Sequence, residues 1–247
     1  NDLQQTIARR CYESLLRNRF AVDVVGRDAA WDDYRLLILP CLTVVDDDLA
    51  ARLVHYAERG GTLVVHPLSG LRDGEARIDP HRMHESLRTL LGIEPREFRT
   101  ASEDIGLEWG GERGGGQWFQ EAPSVLDAEC FGSVDGVPAG PVWTARRAGK
   151  GLAIFLCTYG GEAFYDHWLN DIALEAGLEP LVSDDIPDAL EVTQRTGPNG
   201  DLLFLMNRTN RALDIPWPSG ADRDVYLDEP RAEHLSFRPF GVRILLR

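Results

Sequence analysis

The chain has 247 residues, enough for one large domain or for a medium and a small one, and its 43% apolar and 27% charged residues are an ordinary globular composition. Forty acidic residues against 26 basic ones give a formal charge of −14. That sign repels nucleic-acid phosphates and anionic lipid, which excludes both as expected partners.

In chain order, Leu3, Ile7, Cys11 and Leu15 recur every fourth residue, which predicts a first helix with a broad apolar face. Phe20 to Val25 then reads as a short strand. Leu36 to Leu39, apolar at every position, reads as a parallel strand covered on both faces. The longest apolar run, Leu36 to Val45, is broken by Pro40 and is too short to span a bilayer. Asp46 is an N-cap signal, with Asp47 and Asp48 where a helix dipole favours negative charge and Gly60–Gly61 as the stop. A strand at Leu63–Val65 follows, then a helix from about His81 to Leu91 that ends at Gly92. Between Glu94 and Gly140 the rhythm fails. Glycines at 110–111 and 114–116 surround Trp109, Trp118 and Phe119, and the stretch reads as a loop with irregular strands. Val142–Arg147 and Leu152–Cys157 then form a hairpin across Gly149–Lys150–Gly151, and a last helix spans about Glu162 to Ala176.

After Pro180 the helical period disappears. Leu181 to Pro187 reads as a linker, and short strands follow, with Asn199–Gly200 as a hairpin turn between the first two. These patterns predict an α/β domain over residues 1–183 and a small antiparallel β domain over 184–247. The expected fold of the first is a flavodoxin-like (class I glutamine amidotransferase-like), mostly parallel sheet with helices on both faces.

Ligands of such sheets sit beyond the carboxyl ends of the strands. Those positions hold Cys41 and the segment His66 to Ser69, so a thiol activated by a neighbouring imidazole is one candidate site. Against it, Cys41 is followed by Leu42–Thr43 and lacks the glycine-flanked nucleophile elbow. The four cysteines, at 11, 41, 130 and 157, form no C-x-x-C pair, which points to a reducing, cytoplasmic setting and to buried thiols. Of the six histidines only His81 and His84 stand at helical spacing, without a third ligand, so no metal is expected. The carboxylate clusters Asp46–Asp48 and Asp184–Asp185 read as solvated flanks, and the glycines of 110–116 do not make a phosphate loop, so no cofactor is expected. The Asn207–Thr209 sequon has meaning only in a secreted setting. The start at Asn1, without Met or a signal-like segment, suggests a piece of a longer protein.

The run "YRLLILPCLTVV" from Tyr34 to Val45, then "DDDLAARLVHYAERGGTLVVHPLSGLRDGEARI" and "LRTLLGIEPREF", resembles the trimerisation domain of glycoside hydrolase family 42 β-galactosidases. Downstream, "GKGLAIFLCTYGG", "EAGLEPLV" and "LEVTQRTGPNGDLLFLMNRT" are similar to that family's passage into its C-terminal β domain. The resemblance implies a retaining enzyme whose two catalytic glutamates sit on a barrel of typically about 250 residues, for which this chain has no room. No residue here matches either glutamate, including Glu108. It implies a homotrimer held through the α/β domain, with the parent's catalytic barrel as a further partner. Independently, large rings set among glycines make Trp109, Trp118 and Phe119 candidate interface anchors, with rings folded back onto the sheet as the equal alternative. Two departures stand out: the family's strand before the first helix would lie upstream of Asn1, and the loop Arg72–Pro80 is short. Two readings from other classes remain: an amidotransferase-like hydrolase using Cys41, and a carbohydrate-binding module using Trp109, Trp118 or Trp217.

Overall fold

The computed structural model describes residues 2–100, 105–135, 140–182 and 186–247, with the side chains of Asp2, Glu97 and Trp118 outside the described set. The chain groups into two compact units. One is Asn1–Cys11 with Val24–Gly177, the other Tyr12–Asp23 with Leu178–Arg247. The junction expected at 183/184 falls within residues 183–185, outside the described residues.

Helix α1 (Asp2–Arg17) is followed by β1 (Leu36–Leu39), α2 (Asp47–Arg59), β2 (Thr62–Val65) and α3 (Glu85–Leu91). Then come β3 (Ile93–Thr100), β4 (Ile105–Trp109), β5 (Glu112–Val125), β6 (Glu129–Phe131) and β7 (Ser133–Val134). The first unit closes with β8 (Trp143–Ala148), β9 (Gly151–Leu156), β10 (Thr158–Gly160) and α4 (Glu162–Glu175). Local chemistry sets the helix ends. The Asp46 carboxylate accepts from the Leu49 N–H at 2.9 Å, and Gly60, at φ 126°, stops α2 in a conformation that a side chain would strain. His84 caps α3, its Nδ1 accepting from the Ser86 N–H at 3.2 Å. The helix expected from His81 therefore starts only at Glu85.

The expected flavodoxin-like parallel sheet is not what forms. In the sheet ordered β1-β2-β9-β8-β6, only the β1–β2 and β2–β9 pairings are parallel, while β9–β8 and β8–β6 are antiparallel. A second sheet, β10-β5-β4-β7 with β3 also on β5, is antiparallel throughout. The stretch expected as a loop with irregular strands thus supplies four of the five strands of this second sheet. Its glycines sit where a side chain would collide: a Cβ on Gly106 would lie 2.3 Å from Asp135 Oδ2, and one on Gly114 3.0 Å from the Trp109 ring. Phe20 to Val25, expected as a strand, belongs to no helix or strand. Continuous apolar runs do identify β2 and β9, buried at every residue. The core of this unit packs Leu49, Leu53 and Ala57 of α2 and Leu87, Leu90 and Leu91 of α3 against Leu63, Val65, Ala153 and Phe155.

The second unit carries β11 (Leu190–Gly197), β12 (Gly200–Asn207), β13 (Leu213–Pro216), β14 (Arg223–Asp224), β15 (Glu229–Pro230), β16 (His234–Phe237) and β17 (Val242–Leu246). Its main sheet, β11-β12-β17-β14-β15, is antiparallel, and β13 pairs with β16. Leu190, Val192, Leu203, Leu205, Trp217 and Leu245 are among the buried residues of its core. No helix among the described residues is long and apolar enough to cross a membrane.

Candidate functional site

Beyond the carboxyl ends of β1, β2 and β9 lie Cys41, His66 and Tyr159, joined by Tyr165 from α4 and Cys11 from α1. Cys41 adopts φ 54°, the left-handed region that non-glycine residues avoid. The backbone strain associated with a nucleophile elbow is therefore present without the elbow's glycines. The chemistry does not follow. Cys41 is 2% exposed, and its thiol donates to the Tyr159 hydroxyl at 3.3 Å, which in turn donates to the Pro67 carbonyl at 3.2 Å. Burial pushes the thiol up to about 11, so it stays protonated at neutral pH.

His66 does not serve as its base. The fully buried ring places Nε2 3.1 Å from the Tyr165 hydroxyl and 3.8 Å from Cys11 Sγ. It stacks on Tyr165 with centroids 5.9 Å apart. Burial pushes its pKa down to about 3, which leaves a neutral imidazole. Cys41 and His66 are thus each tied to a different tyrosine, and the thiol has no activating partner among the described residues.

The other candidates are placed as follows. Trp109 is 5% exposed and meets Phe164 edge-on at 4.8 Å, while Phe119 is 7% exposed and lies between Phe98 and Tyr159. Both rings pack within the chain. Trp118 lies on β5, its side chain outside the described residues. Trp217 is buried, its Nε1 donating to the Ala221 carbonyl at 3.0 Å, so it offers no sugar platform. Glu108 ion-pairs with Arg113 at 3.5 Å. His81 pairs with Glu94 and His84 with Asp47, and no metal-binding group of three or more ligands occurs among the described residues. Asp184 and Asp185 lie outside the described residues.

Sequence reasoning missed Glu121. This carboxyl on β5 is 3% exposed and leaves Oε2 without a hydrogen-bond partner. Burial pushes its pKa up to about 7, opposed by the Arg82 guanidinium. No flanking motif marks Glu121 in the sequence.

A mostly antiparallel β module with a three-stranded parallel portion, its strand-end thiol and imidazole each bonded to a tyrosine, is joined to a second β-rich unit that also takes in the end of α1. A family profile described as the β-galactosidase trimerisation domain matches residues 3–179. The chain belongs to that family, the trimerisation domain of glycoside hydrolase family 42 β-galactosidases. It is 25% identical to β-galactosidase BglY of Alicyclobacillus acidocaldarius and 27% identical to β-galactosidase BgaA of a Planococcus species, in each case over 96% of the chain and 36% of the relative. It spans about a third of the length of these curated relatives. Its fold matches that of a catalytic mutant of Gan42B, a GH42 β-galactosidase from G. stearothermophilus, at TM-score 0.90 and 23% identity, covering 97% of this chain and 36% of that one. A β-galactosidase from Bacillus circulans sp. alkalophilus matches at TM-score 0.90 and 20% identity, over 98% and 37%.

Proposed function

We propose that this chain is the non-catalytic oligomerisation and accessory portion of a β-galactosidase, and that its first unit holds three copies about a three-fold axis. The observation that carries the reading is the trimerisation-domain match over residues 3–179. Hydrolysis of terminal β-galactosides then belongs to a catalytic barrel elsewhere in the parent polypeptide, consistent with relatives nearly three times this length. The inert Cys41 thiol and the neutral His66 favour this over an amidotransferase-like hydrolase. The trimer is a closed ring with one heterologous contact repeated three times. A cytoplasmic location fits the free cysteines, three of which are buried.

Light scattering of the full 247-residue chain over a wide concentration range tests the assembly. A mass rising to three chains is expected, and a strictly monomeric mass at the highest concentration refutes it. A chromogenic β-galactoside tests the absence of catalysis. Turnover that survives repurification and disappears on substitution of one carboxylate of this chain overturns the non-catalytic reading.

A further inference from the structure

The main sheet of the second unit is apolar on both faces. Leu190 and Val192 of β11, Leu203 and Leu205 of β12 and Leu245 of β17 are buried in the core. Side chains alternate across a strand, so the residues between these face outward. On β12 they are Leu202, Phe204 and Met206, aligned in register with Leu246, Ile244 and Val242 of β17. None of the six is buried, and Val242 is 39% exposed. An antiparallel sheet with one solvated face carries polar residues there, whereas uninterrupted apolar strands belong to sheets covered on both faces. In the first unit β2 and β9 carry such runs and are buried at every residue. The run Leu202 to Met206 on β12 is of the same kind, yet only alternate residues are buried. Polar residues frame this apolar centre. On β11, Glu191, Thr193 and Arg195 stand opposite Met206, Phe204 and Leu202, and on β14 Arg223 stands opposite Leu246. Arg208 holds Glu191 at 3.0 Å. An apolar centre with a charged rim is the anatomy of a protein interface. One aromatic ring among aliphatic side chains, without a polar group at the centre, suits a protein surface and not a sugar.

We propose that this outer face is the seat on which the catalytic barrel of the same polypeptide docks, an inference that rests on the functional reading above. The extent of the face selects a tethered occupant over a second copy. The strands that carry it span about 300 Å² at ordinary strand spacing. A stable complex between free molecules buries about 800 Å² per partner. A covalently attached partner needs no such area, because the tether has already removed most of the entropic cost of association. The chain covers only 36% of the curated relatives it matches, so a parent of their kind has further sequence from which to supply the cover. Docking there makes the second unit a brace for the barrel.

The two methionines provide the assay. Met206 stands on the outer face, and Met83 is 1% exposed in the core of the first unit. Peroxide converts accessible methionine to its sulfoxide. Peptide mapping after dilute hydrogen peroxide is expected to show Met206 oxidised and Met83 spared in the 247-residue chain. In the full-length parent, Met206 is expected to oxidise several-fold more slowly. Equal Met206 rates in the two proteins overturn the docking. Protection that disappears when the parent is diluted, or that grows with the concentration of the shorter chain, assigns the face to another copy and also overturns it. Phe204→Lys places a charge at the centre of the face. In the parent it is expected to restore Met206 oxidation while Met83, the marker of folding, stays spared, and continued protection in that variant refutes the proposal. A β-galactoside turnover assay on the same parent separates the two readings. Turnover with an accessible Met206 refutes the docking alone, and no turnover refutes the functional reading beneath it.

Discussion

Acid should weaken the first unit through one residue, His66. Its imidazole is 0% exposed and neutral, with a pKa pushed by burial to about 3, against an ordinary value of 6.5. Below 6.5 the unfolded chain takes up a proton that the folded chain refuses. The unfolded state then binds more protons, and stability falls as pH falls, from about 6.5 down to about 3. At pH 5 the loss is about 2 kcal/mol, because the folded state is still unprotonated and the unfolded state is almost fully protonated. The perturbation is His66→Gln, which keeps a polar group near Tyr165 and cannot titrate. Urea unfolding would be followed by tryptophan fluorescence, since Trp217 aside the tryptophans lie in the first unit. Between about pH 7 and pH 5 the natural chain is expected to lose about 2 kcal/mol more than the variant. Glu121 works in the opposite direction over the same interval, but it is present in both proteins and cancels. Parallel losses would refute the burial argument and mean that His66 finds a charge-stabilising partner or water in the folded state.

Three further outcomes follow from packing. Among the cysteines only Cys130 is exposed, so native alkylation at neutral pH should label Cys130 and spare Cys41, and Cys41→Ala should cost only about 1 kcal/mol by thermal unfolding. Rapid labelling of Cys41 would argue for an activated thiolate. Arg19 is 8% exposed and donates to the Ile186 and Leu190 carbonyls at 2.6 and 3.3 Å, so Arg19→Met should destabilise the second unit by about 2 kcal/mol and speed proteolysis near residue 187. A Cβ on Gly151 would stand 2.2 Å from both the Ala57 and Gly61 carbonyl oxygens, so Gly151→Ala should cost about 3 kcal/mol, measured as a loss of soluble folded chain or a lowered Tm.

The parts legible in sequence are those whose signals are local. Asp46 and Gly60 bracket α2 because a cap and a positive-φ stop act within one helical turn. The hairpin from β8 to β9 turns across Gly149–Lys150, as the glycines indicate. The errors come from pairing, which is a tertiary property. Phe20 to Val25 has strand-forming composition, yet such residues become a strand only when a neighbour completes the ladder. The glycines of β4 and β5 look like loop residues until the Trp109 ring and the Asp135 carboxylate are seen lying against them. Of the candidate site, Cys41 and His66 were correctly located at strand ends, but their separation by two tyrosines was not legible. Tyr159 and Tyr165 lie more than ninety residues beyond His66 and carry no motif.

The pairing of β2 with β9 sets a folding order. Thr62 aligns with Leu152, so the central parallel contact closes a loop that contains α3 and all of β3 to β8. Loop closure of that span is entropically slow, and nothing local to β2 rewards it in advance. During synthesis β2 therefore emerges with its apolar edge open and waits until β9 has left the ribosome. In the interval the intervening antiparallel strands, whose partners are nearer in sequence, can form first. Of the antiparallel sheet, β3, β4, β5 and β7 can therefore pair before β9 is made, whereas β10, which follows β9, and the β2–β9 contact itself are expected only afterwards.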